Sequence, residues 1–262
     1  MYAFDFVKPS SIDDAVKALS AEGAQPIAGG QTLIPTLKAR LNAPETLVSL
    51  TGIAELKGVC RDGDVLVIGA GTSHAAVARD AAAEFPGLAA LALQIGDPAV
   101  RNRGTLGGSI ANNDPAACYP AAVLATGATV VTDRREIAAD DFFQGMFTTA
   151  LEEGEIVTSV RFPIPEVSAY AKFAQPASRF ALTGVFVAKF AEGVRVAVTG
   201  ASEDGVFRWT EAEEALVRSF APEALADLRV PDGGMINDLH GTPAYRAHLV
   251  GVMTRRAVKA AS

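Results

Sequence analysis

The stretch RNRGTLGGSIANNDPAACYPAA, residues 101–122, contains three glycines, two arginines, two prolines and one cysteine. Glycine has no Cβ, so a phosphate can approach several backbone N–H groups of such a turn at once. Thr105 and Ser109 add hydroxyl donors next to the glycines. The stretch therefore indicates a turn that binds a phosphate group.

A second glycine pair, Gly29 and Gly30, follows a strand-like segment and precedes Thr32 and a helical pattern. Two such turns, each beside a hydroxyl, favour a diphosphate held from two sides. The alternative is that the glycines only allow tight connections between strands and helices. Neither turn matches a GxGxxG fingerprint or a Walker loop. Spacing alone leaves both interpretations open.

Sequence patterns predict most of the elements around these turns. Ser11 is expected to cap a helix in SIDDAVKALSA, and Ser73 another after the strand and turn of DVLVIGAG. Alternating apolar residues in GVFVAKFAEGVRVAVTGAS predict an antiparallel hairpin. Helical patterns over 210–220 and 243–261 follow it. We expect three parts, residues 1–58, 59–165 and 166–262.

Composition excludes several function classes. Of the 262 residues, 49% are hydrophobic and 20% are charged, as in an ordinary globular protein. The net charge of −7 argues against a nucleic-acid binder. Because we find neither an apolar run of membrane-spanning length nor a signal peptide, we expect a cytoplasmic protein.

Metal sites are not expected in this chain. Cys60 and Cys118 are far apart and form no CxxC motif, so they cannot hold an iron–sulfur cluster alone. Any iron–sulfur chemistry must then come from a partner. The histidines, His74, His240 and His248, form no metal motif, and we expect them to be structural or on the surface.

Three long strings carry a family resemblance: PIAGGQTLIPTLKARL, IGDPAVRNRGTLGGSIANNDPAA and QPASRFALTGVFVA, in that order. Together they resemble the FAD-binding medium subunit of the molybdenum hydroxylases, a group that includes carbon monoxide dehydrogenase and xanthine dehydrogenase. The resemblance covers nearly the whole chain. NDLHGTPAYRAHLVGVMTRRAV looks like the C-terminal domain of that family.

The resemblance implies an α+β fold. Two FAD-binding lobes of the vanillyl-alcohol-oxidase-like type clasp FAD between them, and a C-terminal domain of a three-stranded antiparallel sheet with helices covers the flavin end. The implied cofactor-binding residues are Ala28, Gly29, Gly30, Gln31, Thr32, Ile95, Thr105, Leu106, Gly107, Gly108, Ser109, Asn112, Asp114, Cys118 and Lys172. We expect no catalytic substrate-binding set and no metal ligand.

Two of these positions are special. An aspartate that touches FAD usually follows the DPAA string in the family, whereas Cys118 stands there in this chain. A thiol is a weak hydrogen-bond donor, so we expect weaker FAD binding. Lys172 is expected to stabilise negative charge on the reduced flavin or to be a solvated strand lysine. Phe180 is either a flavin neighbour or a core residue.

The implied function is electron transfer within an oxidoreductase complex. Electrons from a large molybdopterin-binding subunit pass through a small two-iron two-sulfur subunit to FAD, and then to NAD, a quinone or another acceptor. One alternative is a stand-alone flavin-dependent oxidase, which needs a larger substrate domain and a base near the flavin. The other is a cofactor-free scaffold subunit, which the two glycine turns argue against.

Overall fold

Three β-sheets follow one another along the chain, and helices pack between and around them. The computed structural model describes residues 1–262. The first sheet is parallel, with strands β1 (Asp5–Val7), β2 (Ala24–Ile27) and β3 (Thr46–Ser49) in the order β1-β3-β2. Its crossover helices are α1 (Ile12–Leu19) and α2 (Leu33–Lys38). Leu50–Gly52 forms a short 3-10 turn after β3.

The predicted cap of α1 is confirmed. The Ser11 hydroxyl accepts a hydrogen bond from the backbone N–H of Asp14 at 3.2 Å. α1 buries Ala15 and Leu19 against the sheet, in the small core that also contains Val48. The glycine pair lies at the joint between β2 and α2, as the sequence predicts.

The second sheet is antiparallel and has the strand order β4-β5-β10-β6-β7. Its strands are β4 (Val59–Asp62), β5 (Val65–Gly69), β6 (Thr129–Thr132), β7 (Glu136–Ala138) and β10 (Val157–Pro163). A run of helices connects β5 to β6: α3 (His74–Asp80), α4 (Pro86–Leu93), α5 (Pro98–Arg103), α6 (Leu106–Asn112) and α7 (Tyr119–Thr126). Helix α8 (Ala139–Phe142) and the small hairpin of β8 (Phe143–Gly145) and β9 (Thr148–Thr149) precede β10.

The third sheet is antiparallel and follows the chain in order. Its strands are β11 (Val167–Ala174), β12 (Ala181–Phe190), β13 (Gly193–Ser202) and β14 (Gly205–Arg208). The expected antiparallel C-terminal sheet is confirmed, but it has four strands rather than three, because the short β14 pairs with β13. Helices α9 (Thr210–Arg218) and α10 (Pro243–Ala261) accompany it, with a 3-10 turn at Pro222–Leu225 between them.

One core joins the second and third sheets. It contains 32 buried residues, mostly from the second sheet and from α4 and α7, and it includes Tyr170 and Phe186 of the third sheet. The Phe85 ring meets Phe162 of β10 edge-on at 6.3 Å and Phe186 of β12 at 6.1 Å. Because one apolar core spans both sheets, their relative position is fixed by packing. None of the helices is both long and apolar enough to cross a lipid bilayer.

Candidate cofactor site

A cavity of about 640 Å³ lies where elements of the three sheets approach one another. Most of its lining comes from three stretches: residues 25–36 around the first glycine turn, residues 95–118 between α4 and α7, and residues 172–180 from the end of β11 onward. Residues 70–74 and 151–157 complete the wall. This volume is in the range of small-molecule and cofactor sites. The cavity is therefore large enough for a nucleotide-sized ligand.

The first glycine turn, residues 29–32, presents a row of free backbone amides, and we call it the cradle. The backbone N–H groups of Gly29, Gly30, Gln31 and Thr32 donate to no group of the protein, and the first amide of α2 with a partner is that of Ile34. Gly30 has a left-handed φ of +71°. Successive free amides in a concave turn bind phosphate oxygens. This turn therefore exposes the backbone amides that the sequence-based argument expects.

Most amides of the second glycine turn already have acceptors within the protein, unlike those of the first. Three of its N–H groups already have acceptors: Leu106 donates to the Thr72 carbonyl (3.1 Å), Gly107 to Ala70 (2.8 Å) and Gly108 to the Thr105 hydroxyl (3.1 Å). Glycine is needed for packing instead, since a Cβ on Gly107 would lie 2.4 Å from the Ala70 Cβ. Thr105 caps α6.

The two turns touch each other directly. A Cβ on Gly29 would lie 2.1 Å from the carbonyl oxygen of Arg103 and 2.7 Å from the Cα of Gly104. Only glycine permits this approach between the first βαβ unit and the segment before α6. The contact closes one wall of the cavity.

Fourteen of the fifteen predicted cofactor-binding residues line this one cavity: Ala28, Gly29, Gly30, Gln31, Thr32, Ile95, Thr105, Gly107, Gly108, Ser109, Asn112, Asp114, Cys118 and Lys172. The remaining one, Leu106, is fully buried in the main core. Residues that are 144 positions apart in sequence thus lie around the same space.

Lys172 and Cys118 meet in another part of the cavity wall, which we call the cationic end. The ammonium group of Lys172 lies 3.6 Å from the Cys118 sulfur and donates to the carbonyls of Gln94 (2.5 Å) and Arg179 (2.9 Å). Lys172 faces no carboxylate in these contacts. Cys118 is buried at the start of α7. Phe180 lines the same end and leaves 53% of its surface exposed.

His74 is buried in the cavity wall, a position that no sequence pattern indicates. It lines the cavity, is only 4% exposed and packs its ring against Tyr119, with the two centroids 5.3 Å apart. Its Nδ1 is buried without a hydrogen-bond partner. Burial, followed by the charge of Arg101, lowers the pKa of His74 to about 4, so the ring is neutral at pH 7. The sequence around His74 does not reveal this environment, because Tyr119 and Arg101, which create it, are distant in sequence.

Glu155 forms a charged part of the cavity wall. Its carboxylate accepts hydrogen bonds from the Arg135 guanidinium, the Thr132 hydroxyl and the backbone N–H of Glu152. These bonds, led by that of Arg135, lower the pKa of Glu155 to about 2. The carboxylate is therefore negative at neutral pH and fixed in place.

Residues 2–165 match the family model described as the FAD binding domain in molybdopterin dehydrogenase. The chain belongs to this family. The carbon monoxide dehydrogenase medium chain of Afipia carboxidovorans is 36% identical to it over 99% of this chain and 96% of the relative. The nicotine 6-hydroxylase medium subunit of Paenarthrobacter nicotinovorans is 35% identical over 98% of this chain and 96% of the relative.

Solved structures agree with the family assignment. The reconstituted CO dehydrogenase from Oligotropha carboxidovorans contains a chain that matches with a TM-score of 0.90 at 34% identity, covering 99% of this chain and 98% of that one. A chain of quinoline 2-oxidoreductase from Pseudomonas putida 86 matches with a TM-score of 0.89 at 30% identity, covering 99% and 97%. The expected family, the α+β fold, FAD as cofactor and an oxidoreductase subunit are confirmed.

The cavity fits FAD on its own chemistry. The cradle at Gly29 and Gly30 offers free amides for a diphosphate, and the cationic end at Lys172 suits a ring that gains negative charge on reduction. The volume of about 640 Å³ connects the two ends.

Proposed function

We propose that this chain is the FAD-binding electron-transfer subunit of a molybdenum hydroxylase complex. The observation that carries the proposal is one cavity whose wall contains both free backbone amides and an ammonium group without a carboxylate partner. Support comes from full-length similarity to chains named as medium subunits of such dehydrogenases and hydroxylases.

In the proposed arrangement, the diphosphate of FAD lies against the amides of residues 29–32. The hydroxyls of Thr32 and Ser109 carry no hydrogen bond of their own as donors and lie along the cavity for the ribityl and phosphate oxygens. Asn112 and Asp114 are further polar groups for the ribose or ribityl hydroxyls. Ile95, Cys118 and Lys172, which line the same cavity, would contact the flavin ring. When bound, FAD supplies the chemistry that accepts electrons from one centre and passes them singly or in pairs to another.

The proposal includes partners. A large molybdopterin-binding subunit oxidises the substrate, and a small two-iron two-sulfur subunit delivers the electrons to this chain; NAD or a quinone then accepts them. The three parts 1–58, 59–165 and 166–262 and a cytoplasmic location belong to the same proposal. The relatives' names support a multi-subunit enzyme, since they are called medium chains or subunits.

Purification of the affinity-tagged chain from the cells that naturally make it tests the proposal. We expect two further polypeptides to accompany the chain, together with molybdenum, iron and FAD in fixed ratios. A chain that carries FAD but no molybdenum or iron, with no accompanying polypeptide, would contradict the subunit role and favour a stand-alone flavoprotein.

A further inference from the structure

The hairpin of β8 and β9 ends in a turn of two apolar residues. Gly145 pairs with Thr148, so Met146 and Phe147 lie between the two strands. Phe147 leaves 61% of its surface exposed and Met146 leaves 39%. We name these two residues the tip. Neither of them lines the cofactor cavity, so the binding of FAD does not explain them.

The backbone of the tip is unusual for the side chains that it carries. Turns of two residues between antiparallel strands favour Asn, Asp and Gly, which adopt a positive φ readily. Phe147 has a φ of +56°, a rare conformation for a bulky side chain. Residues in such conformations persist where neighbouring groups hold them, and they are common at functional sites. The turn alone therefore gives no reason for an aromatic ring at this position.

Asn113 holds the tip in place from inside the protein. Its Nδ2 donates to the carbonyls of Gly145 (2.7 Å) and Thr148 (2.9 Å), and its own carbonyl accepts the backbone N–H of Phe147 at 2.9 Å. Asn113 is only 2% exposed. Because three hydrogen bonds to one buried residue already fix the turn, docking of the tip would cost little conformational entropy.

Free negative charge lies beside the tip. The turn between β13 and β14 packs against it, since a Cβ on Gly205 would lie 3.6 Å from the backbone nitrogen of Met146. Glu203 and Asp204 in this turn are exposed, and neither takes part in any of the twelve ion pairs of the chain. An apolar projection beside unpaired carboxylates is complementary to an apolar pocket with basic side chains at its rim.

We propose that the tip anchors a partner polypeptide, which receives Met146 and Phe147 in an apolar pocket rimmed by lysine or arginine side chains. The inference rests on the proposed function and names a surface through which this chain joins its complex. Aromatic and methionine side chains are enriched in protein interfaces, and a few residues carry most of the binding energy there. The neighbours of Asn113 in sequence, Asn112 and Asp114, line the cofactor cavity, so the partner docks close to the wall of that cavity.

The metal content of the affinity-tagged complex tests the proposal. Phe147→Gly removes the ring, and glycine adopts the same φ without strain, so the melting temperature and the FAD content of the chain should change little. We expect molybdenum and iron to fall at least tenfold per mole of purified chain. Arg40→Gly is the matched control, because Arg40 is also exposed and has a φ of +57° but lies between α2 and β3. It should retain both metals.

Charge reversal gives a second pair of variants. Asp204→Lys would place a positive charge against the basic rim of the pocket, so we expect less molybdenum and iron per chain. Glu22→Lys, at an exposed carboxylate between α1 and β2, should retain both metals. Raised salt should remove the metal-carrying polypeptides from the native chain more readily, because it screens the carboxylates.

Replacement of Met146 by the photo-crosslinking residue p-benzoylphenylalanine identifies the occupant in the intact complex. We expect the crosslink in a polypeptide that carries molybdenum or iron, at an apolar site flanked by lysine or arginine. Native metal content in Phe147→Gly, or a crosslink to a second copy of this chain, would overturn the proposal. A native chain that purifies without molybdenum, iron or another polypeptide contradicts the proposed function itself, and the anchor role fails with it.

Discussion

At the residue scale, His74 combines deep burial with an unpartnered ring nitrogen. An N–H at the buried Nδ1 would have no acceptor, so the neutral ring is best satisfied with its proton on Nε2. Nε2 lies close to Gly104, which lines the cavity: a Cβ at that position would be 2.5 Å from it. An Nε2–H is thus placed at the wall of the cavity in which we propose that FAD binds.

We predict that His74→Phe lowers FAD affinity about tenfold, since one hydrogen bond to an anionic group is lost. The melting temperature should stay the same or rise, because a buried nitrogen without a partner is removed. FAD fluorescence titration and thermal melting of the apoprotein measure the two effects, with His240→Phe as an exposed control. Unchanged FAD affinity would show that His74 only fills space.

Cys118 allows a second test at this scale. The thiol lies 3.6 Å from the Lys172 ammonium, and an aspartate in its place would form an ion pair there and offer oxygens to the cofactor. We predict that Cys118→Asp raises FAD affinity several-fold. Cys60→Asp, at the exposed cysteine, should leave the affinity unchanged. Equal or weaker FAD binding in Cys118→Asp would contradict the prediction and show that the thiol does not lower FAD affinity.

At the element scale, the contact between the two glycine turns holds the cavity wall together. Gly29→Ala would push a methyl group to 2.1 Å from the Arg103 carbonyl oxygen, and both sides of this contact are backbone. We predict a loss of about 1–3 kcal/mol in the free energy of unfolding and at least tenfold weaker FAD binding. Urea unfolding and FAD titration measure these changes.

Gly233→Ala is the control for this substitution, because no atom lies within 4 Å of its added Cβ. Gly233→Ala should change neither the free energy of unfolding nor the FAD affinity. Native stability and native FAD affinity in Gly29→Ala would contradict this prediction. They would show that the two turns can move apart without weakening either the fold or FAD binding.

Elements with local signals were predictable from the sequence, and contacts between elements were not. Ser11 and Ser73 mark helix starts through bonds to residues three positions later, so a short pattern suffices. The amides of Leu106 and Gly107 look free in sequence, but carbonyls of Thr72 and Ala70, more than thirty positions earlier, occupy them. For the same reason, the sequence does not indicate that His74 lies in the cavity wall. The family resemblance supplied the site residues that spacing alone left open.

At the scale of the whole molecule, Glu155 in the cavity wall makes the stability of the fold depend on pH in the acid range. Its folded pKa of about 2 lies below the ordinary value of 4.5, so its stabilisation is complete above pH 4.5 and is lost as the pH falls toward 2. The side chain of its partner Arg135 is 42% exposed, so solvent screens the pair. We therefore expect Glu155 to contribute about 1–2 kcal/mol to the free energy of unfolding at neutral pH.

We predict that Glu155→Gln removes this part of the pH dependence of unfolding between pH 4.5 and 2. The variant should also be less stable than the native chain at pH 7, because the bonds from Arg135 and Glu152 are weakened. Glu152→Gln, at an exposed carboxylate, should have a much smaller effect. If the free energy of unfolding changed with pH in the same way for the native chain and for Glu155→Gln, the lowered pKa of Glu155 would be refuted.

The three sheets share one cavity, and the central claim is that FAD fills it. Titration of FAD into the purified apoprotein, with flavin fluorescence and thermal melting as paired readouts, tests this claim most directly. We predict saturation at one FAD per chain and a higher melting temperature, since a ligand that binds only the folded state stabilises it by about 2.7 kcal/mol at a hundredfold excess over Kd. Gly29→Ala should bind poorly in the same titration. No saturation and no shift in melting temperature for the native chain would contradict the claim.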